Sequence, residues 1–112
     1  SFDHTNLRDS ALSVIDATEG RNFGAKLAQY NIEGVKLSFA SLESVRLTRA
    51  NLTNAILTGA YLTNALMNET IITGADFTDA LLSPTTEKKL CEVASGTNPT
   101  TGRNTKDTLY CP

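Results

Sequence analysis

A five-residue period runs through this chain and decides what it can fold into. From Ala25 onward the third residue of every five is large and apolar: Leu27, Ile32, Leu37, Leu42, Leu47, Leu52, Leu57, Leu62, Met67, Ile72, Phe77 and Leu82. The first residue of each five is mostly small, as at Ala40, Ala50, Ala55, Ala60, Ala65, Ala75 and Ala80, with Val35 and Val45 slightly larger and Tyr30 and Thr70 the departures. Five residues advance an α-helix by about 500°, so these side chains would drift around the cylinder instead of lining one face. A long straight strand has a period of two and fits no better. A three-residue extended piece with its first and third side chains inward does fit. The other two residues must then turn the chain, and pairs such as Glu33-Gly34, Thr53-Asn54, Thr58-Gly59 and Thr78-Asp79 are turn formers that tolerate positive φ.

Corners of about a right angle close one turn in four units, or 20 residues. Each apolar residue then stacks on the one 20 residues later, about 4.8 Å along the axis. Backbone groups pair between turns, as buried N–H and C=O groups require. The expected fold is all-β: a quadrilateral β-helix with a solid core. Phe2, Leu7, Leu12 and Ala17 keep the register upstream, while Asn22 breaks it. The reading is therefore one domain of about four coils over 1–84, regular over 25–84 and distorted over 19–24, followed by a tail over 85–112.

Ala50-Asn51-Leu52-Thr53-Asn54 and Ala75-Asp76-Phe77-Thr78-Asp79 resemble the pentapeptide-repeat family, whose pattern is Ala-Asp/Asn-Leu-X-X. The resemblance is close over 25–84 and loose over 5–17, and it implies a right-handed coil. The tail, with Leu90-Cys91, the Ala94–Gly102 stretch and Thr105–Pro112, resembles thylakoid-lumen members from plants and cyanobacteria. That implies a chloroplast lumenal protein whose transit peptide has been removed. The family supplies no active-site residues to carry over.

In the tail, Pro84-Thr85-Thr86-Glu87 is a helix start with a threonine as N-cap. Leu90, Val93 and Ala94 give a short apolar stripe, and Gly96 is the expected stop. This helix of about ten residues is expected to cover the open end of the solenoid beneath Leu82, since such ends expose strand edges and core. A partner-binding helix is the alternative. Cys91 and Cys111 are the only cysteines, and with one histidine they cannot complete a zinc site. One disulfide is expected, structural in the first reading and redox-switchable in the second.

The middle residue of each extended triplet points outward. Lys26, Lys36 and Arg46 give way to Ile56, Tyr61, Leu66, Ile71 and Leu81, so the outer surface becomes apolar toward the C-terminus. Either the tail wraps over part of it through Leu109 and Tyr110, or it docks another protein. A net charge of −2 and a mild strip of Arg8, Lys26, Arg46 and Arg49 do not make a nucleic-acid footprint. DNA mimicry needs stacked carboxylates, and the outward positions offer Asp16 and Asp76. Short hydroxyl ladders such as Thr53 with Thr73 are interrupted by Glu33, Glu43 and Asn68, which argues against an ice-binding face. The matches at Asn51-Leu52-Thr53 and Asn68-Glu69-Thr70 to the glycosylation pattern arise from the repeat itself. No apolar run exceeds three residues, so neither a membrane span nor a signal peptide is expected.

His4 is the sole imidazole, and no serine or cysteine has a base at a motif spacing. The sequence therefore leads to a monomeric, non-catalytic structural or protein-interaction module with an unidentified protein partner. No cofactor, metal or nucleic acid is expected. The alternative is a redox-responsive regulator switched through Cys91 and Cys111.

Overall fold

The computed structural model describes residues 31–112. The upstream register, the distortion expected at 19–24, His4, Arg8, Lys26 and Leu27 lie outside the described residues. From residue 31 the chain winds with a repeat of 20. Parallel bridges join Asn31 to Asn51 and Asn51 to Ile71 on one side, and Lys36 to Ile56 and Ile56 to Asp76 on the next. The third side carries Ser41, Tyr61 and Leu81, with strands β1 (Tyr61–Leu62) and β2 (Leu81–Leu82) in parallel register. Arg46 and Leu66 pair on the fourth.

Each side contributes the same backbone bonds. Ile71 N donates to Ala50 O at 2.9 Å, Leu52 N donates to Ile71 O at 2.7 Å, and the pattern repeats around the square. The inward positions fill the centre. Ile32, Leu37, Leu42, Leu47, Leu52, Leu57 and Leu62 are fully buried, and Met67, Ile72 and Phe77 continue the stack. Thr70 stands where alanine or valine is usual and is buried. Its hydroxyl donates to Leu47 O at 2.7 Å, and that bond offsets the cost of burying a polar group in the wall.

The corners are more demanding than the sequence suggested. In every described repeat up to Asp79 the fifth residue has positive φ, from 58° at Asp79 to 72° at Gly74. Each corner also closes with an i to i+3 bond, such as Ala55 N to Leu52 O at 2.9 Å. Positive φ at the third turn residue with that bond is the signature of a type II turn. Glycine and asparagine fill some of these places, but Phe39, Ser44, Arg49 and Glu69 occupy others. The ladder holds them there, since one bad corner is outweighed by the bonds and burial of the sides it joins.

Helix α1 (Pro84–Val93) differs from expectation at both ends. Its N-cap is Ser83 rather than a threonine, because proline suits the first helical position, where its missing N–H is not needed. The Ser83 hydroxyl makes no cap bond and instead accepts from Asn64 N at 3.0 Å. The helix stops at Val93 with Ala94 extended, before Gly96 is reached. Leu90 and Ala94 join the core cluster, whereas Val93, expected in the apolar stripe, is exposed. Gly96 serves a different purpose. Its φ is 85°, and a Cβ there would lie 2.9 Å from Gly74 N, so the tail can approach the coil only through glycine.

Beyond Gly96 the tail folds back as a hairpin-like loop, with Thr97 paired antiparallel to Asn104, and ends in the short helix α2 (Thr105–Thr108). Leu109 is buried in the core cluster. Cys91 and Cys111 form a disulfide that ties α1 to the chain end.

Candidate interaction surface

The outward apolar residues named from the sequence do not form one patch. Tyr61 and Leu81 are cross-strand neighbours on the third side, 42% and 52% exposed. Leu66 lies around the corner beside Arg46, Ile71 lies on the side after that, and both are 49% exposed. Ile56 is half-buried between Lys36 and Asp76 on the remaining side. A square coil places consecutive outward positions a quarter-turn apart, so only residues 20 apart share a side.

The tail covers the Asp76 side rather than the Tyr61 side. Asp76 has no exposed surface. Its Oδ1 accepts from Thr78 N at 2.9 Å and from the Thr78 hydroxyl, and Arg103 Nη1 donates to its Oδ2 at 3.2 Å. Burial pushes the carboxyl pKa up, but the bonds from Thr78 and Thr101 and the charge of Arg103 outweigh it. The group therefore titrates below its usual value. Asn98 pins the same segment. Its side-chain nitrogen donates to Gly74 O, Asn54 O and Ala55 O, while its Oδ1 accepts from Thr100 N and Thr101 N, each at 2.9 Å. Of the two tail residues expected to shield the apolar surface, Leu109 turns into the core. Tyr110 stays exposed and donates through its hydroxyl to Asp79 Oδ1 at 3.2 Å.

Sequence reasoning passed over Asn98, Arg103 and the exposed Phe39. The first two sit in a non-periodic loop, where only the Asn-Pro dipeptide signalled a turn. Phe39 occupies a corner, where its ring lies over Gly59 of the next turn.

Two of the surface grooves beside the tail border helix α1. One, of about 600 Å³, runs between residues 67–73 and the α1 residues Lys89, Leu90, Glu92 and Val93. The other, of about 360 Å³, is lined by Pro84, Lys88, Cys91, Lys106, Tyr110 and Cys111, so the disulfide borders solvent. Among the described residues no group of three or more His, Cys, Asp or Glu could hold a metal, and no helix is long and apolar enough to cross a membrane. The Tyr61 side thus presents apolar side chains to solvent, and the groove beside the tail presents a disulfide.

Residues 46–83 match the family model for pentapeptide repeats, in eight copies. No curated protein matches the sequence. Among solved structures, the chain is similar to a pentapeptide repeat protein from the thylakoid lumen of Arabidopsis thaliana, with 43% identity and a TM-score of 0.57. That likeness covers 74% of this chain and 61% of the other, so the chain spans less than two thirds of the plant protein's length. Residues 46–83 are pentapeptide repeats by their match to that family's model, and the coil they wind is the right-handed β-helix that such repeats imply.

Proposed function

We propose that this chain is a non-catalytic, monomeric module of the thylakoid lumen that presents flat β-helix sides to a protein partner. In this reading 1–84 winds about four coils and 85–112 closes the end as a disulfide-tied cap. The observation that carries it is the Tyr61–Leu81 pair: two large apolar side chains in register on one flat side, left uncovered by the tail. Aromatic and aliphatic groups on a rigid surface are the usual anchors of protein interfaces. The lumenal placement rests on the likeness to the Arabidopsis protein. Affinity capture from lumenal extract should recover a partner with the wild-type chain and lose it with Tyr61→Lys/Leu81→Lys. Equal recovery would remove this side as the docking surface.

A second reading is favoured by the position of the disulfide. Cys91 and Cys111 are half-buried and border an open groove, lined also by Lys88, Lys106, Glu87 and Glu92, where an attacking thiolate has access. As a redox-responsive regulator, the chain would free its tail on reduction. Mild reductant should then raise amide exchange over 96–109 while leaving 35–62 unchanged. A bridge that resists the same reductant would sink this reading.

A further inference from the structure

The backbone ladder of the coil stops before the chain does. On the first and fourth sides each N–H or C=O that faces the following turn has a partner there until the last turn is reached. Leu47 N donates to Leu66 O, Leu66 N to Val45 O, Arg49 N to Asn68 O, Leu52 N to Ile71 O, and Ile71 N to Ala50 O. The equivalent groups one turn later are Ala65 O, Met67 N, Glu69 N, Thr70 O and Ile72 N. None of these five has a hydrogen-bond partner among the described residues. The ladder resumes only at Gly74 N, which donates to Ser95 O at 2.8 Å. Helix α1 has replaced the half-turn between. A helix satisfies its own backbone, so it covers the core through Leu90 but cannot pair with the edge beside it.

Residues 67–73 of this unpaired edge form one wall of the groove of about 600 Å³, with α1 as the other wall. Buried or half-buried backbone groups without partners favour whatever supplies them. Because the edge continues an existing parallel ladder, its complement is fixed by the turn beneath it. We infer that this edge binds an extended segment of a partner polypeptide, which adds one more pentapeptide corner in parallel to residues 65–73. Its donors would meet Ala65 O and Thr70 O, and its carbonyls would meet Met67 N, Glu69 N and Ile72 N. The side chains are specified as well. Leu66 and Ile71, both half-exposed, call for two apolar outward residues five apart. Leu90 already packs in the core cluster with Met67 and Ile72, so the inward residues of the added segment must be small. This is strand addition at a sheet edge, in which main-chain bonds give affinity and alternate side chains give specificity. The inference rests on the reading of the chain as an interaction module and names a partner chemistry for it.

The probe is a capped decapeptide, Ala-Leu-Ala-Asn-Glu-Thr-Ile-Ala-Thr-Gly, which is residues 65–74 with alanine replacing Met67 and Ile72. Amide exchange is followed by NMR on the whole wild-type chain. Free, the Met67, Glu69 and Ile72 amides should exchange faster than their ladder counterparts Leu47, Arg49 and Leu52. Saturating peptide should slow all three by about tenfold or more. The same peptide N-methylated at its leucine and isoleucine should bind about tenfold more weakly, having lost two donors. Equal binding of the methylated peptide, or no protection at millimolar peptide, would overturn the inference. So would protection that grows with protein concentration alone, which would make a second copy the occupant. The Tyr61–Leu81 side takes no part in this experiment, so failure here and failure of that docking side are read separately.

Discussion

The Asn98 side-chain nitrogen lies 3.0 Å from the carbonyl oxygen of Gly74 and holds the tail against the coil. It also reaches Asn54 O at 3.1 Å and Ala55 O at 3.2 Å, so one amide spans two turns of the solenoid. Asn98 has no exposed surface, and all its hydrogen-bonding capacity is used inside the protein.

Asn98→Ala removes both halves of that arrangement. Gly74 O, Asn54 O, Thr100 N and Thr101 N would lose a partner in a site water does not reach easily. Each buried group left unmade costs about 1–3 kcal/mol, so a total near 2–4 kcal/mol is expected after relaxation. Asn98→Asp should be no better at neutral pH, because a carboxylate would face three carbonyl oxygens. Urea unfolding of both variants checks this. A midpoint within error of wild type for Asn98→Ala would show that the tail is held by other contacts.

The Asp76 carboxyl gives the tail a pH dependence. Its folded pKa lies below the ordinary value of 3.8, despite burial, because Thr78, Thr101 and Arg103 favour the charged form. A depressed carboxyl pKa stabilises the fold above the unfolded value, and that stabilisation is lost as pH falls through the folded value. The stability difference between wild type and Asp76→Asn should therefore be constant at neutral pH and shrink below about pH 4. Arg103 is 52% exposed, so solvent screens its share, and Arg103→Ala should cost less than Asp76→Ala. Thermal unfolding of the three variants across this range provides the test. A difference that stays flat into acid would mean the charged form of Asp76 is not favoured by the fold.

Corner residues offer a gain in stability. Ser44 is exposed with φ of 61°. A non-glycine residue in the left-handed region costs roughly 1–2 kcal/mol, partly offset when glycine is introduced by its greater unfolded-state entropy. Ser44→Gly should therefore stabilise by about 0.5–1 kcal/mol, and the β-branched Ser44→Val should destabilise. Calorimetry on the pair decides the matter: if both shift the melting temperature the same way, the corner conformation is not the controlling factor.

Ser44 also shows where sequence reading reached its limit. The inward positions were legible because leucine at every fifth place admits one winding, and Leu37 through Phe77 are buried as that winding requires. The outward residues were legible one at a time, since Tyr61 and Leu81 share a side through their separation of 20. The corners were only half legible: glycine and asparagine announce positive φ, whereas Phe39, Arg49 and Glu69 adopt it because the ladder on either side leaves no choice. The tail was least legible. Asn98, Arg103 and Gly96 act through contacts with residues 22 to 44 positions away, and no local period encodes those.

Two threonines of α2 should respond oppositely to the same change. Thr108 is buried, and its hydroxyl accepts from Phe77 N at 3.0 Å and donates to Thr105 O at 2.7 Å. Thr105 has no exposed surface, and its hydroxyl has no partner. Replacing either by valine keeps the shape and removes the hydroxyl. At 108 this strands a buried N–H of the last turn and should cost about 1–3 kcal/mol. At 105 it removes an unsatisfied polar group, so the change should be neutral or stabilising by up to about 1 kcal/mol. Chemical denaturation of Thr105→Val and Thr108→Val measures the split, and equal destabilisation by both would mean the Thr105 hydroxyl has a partner in solution.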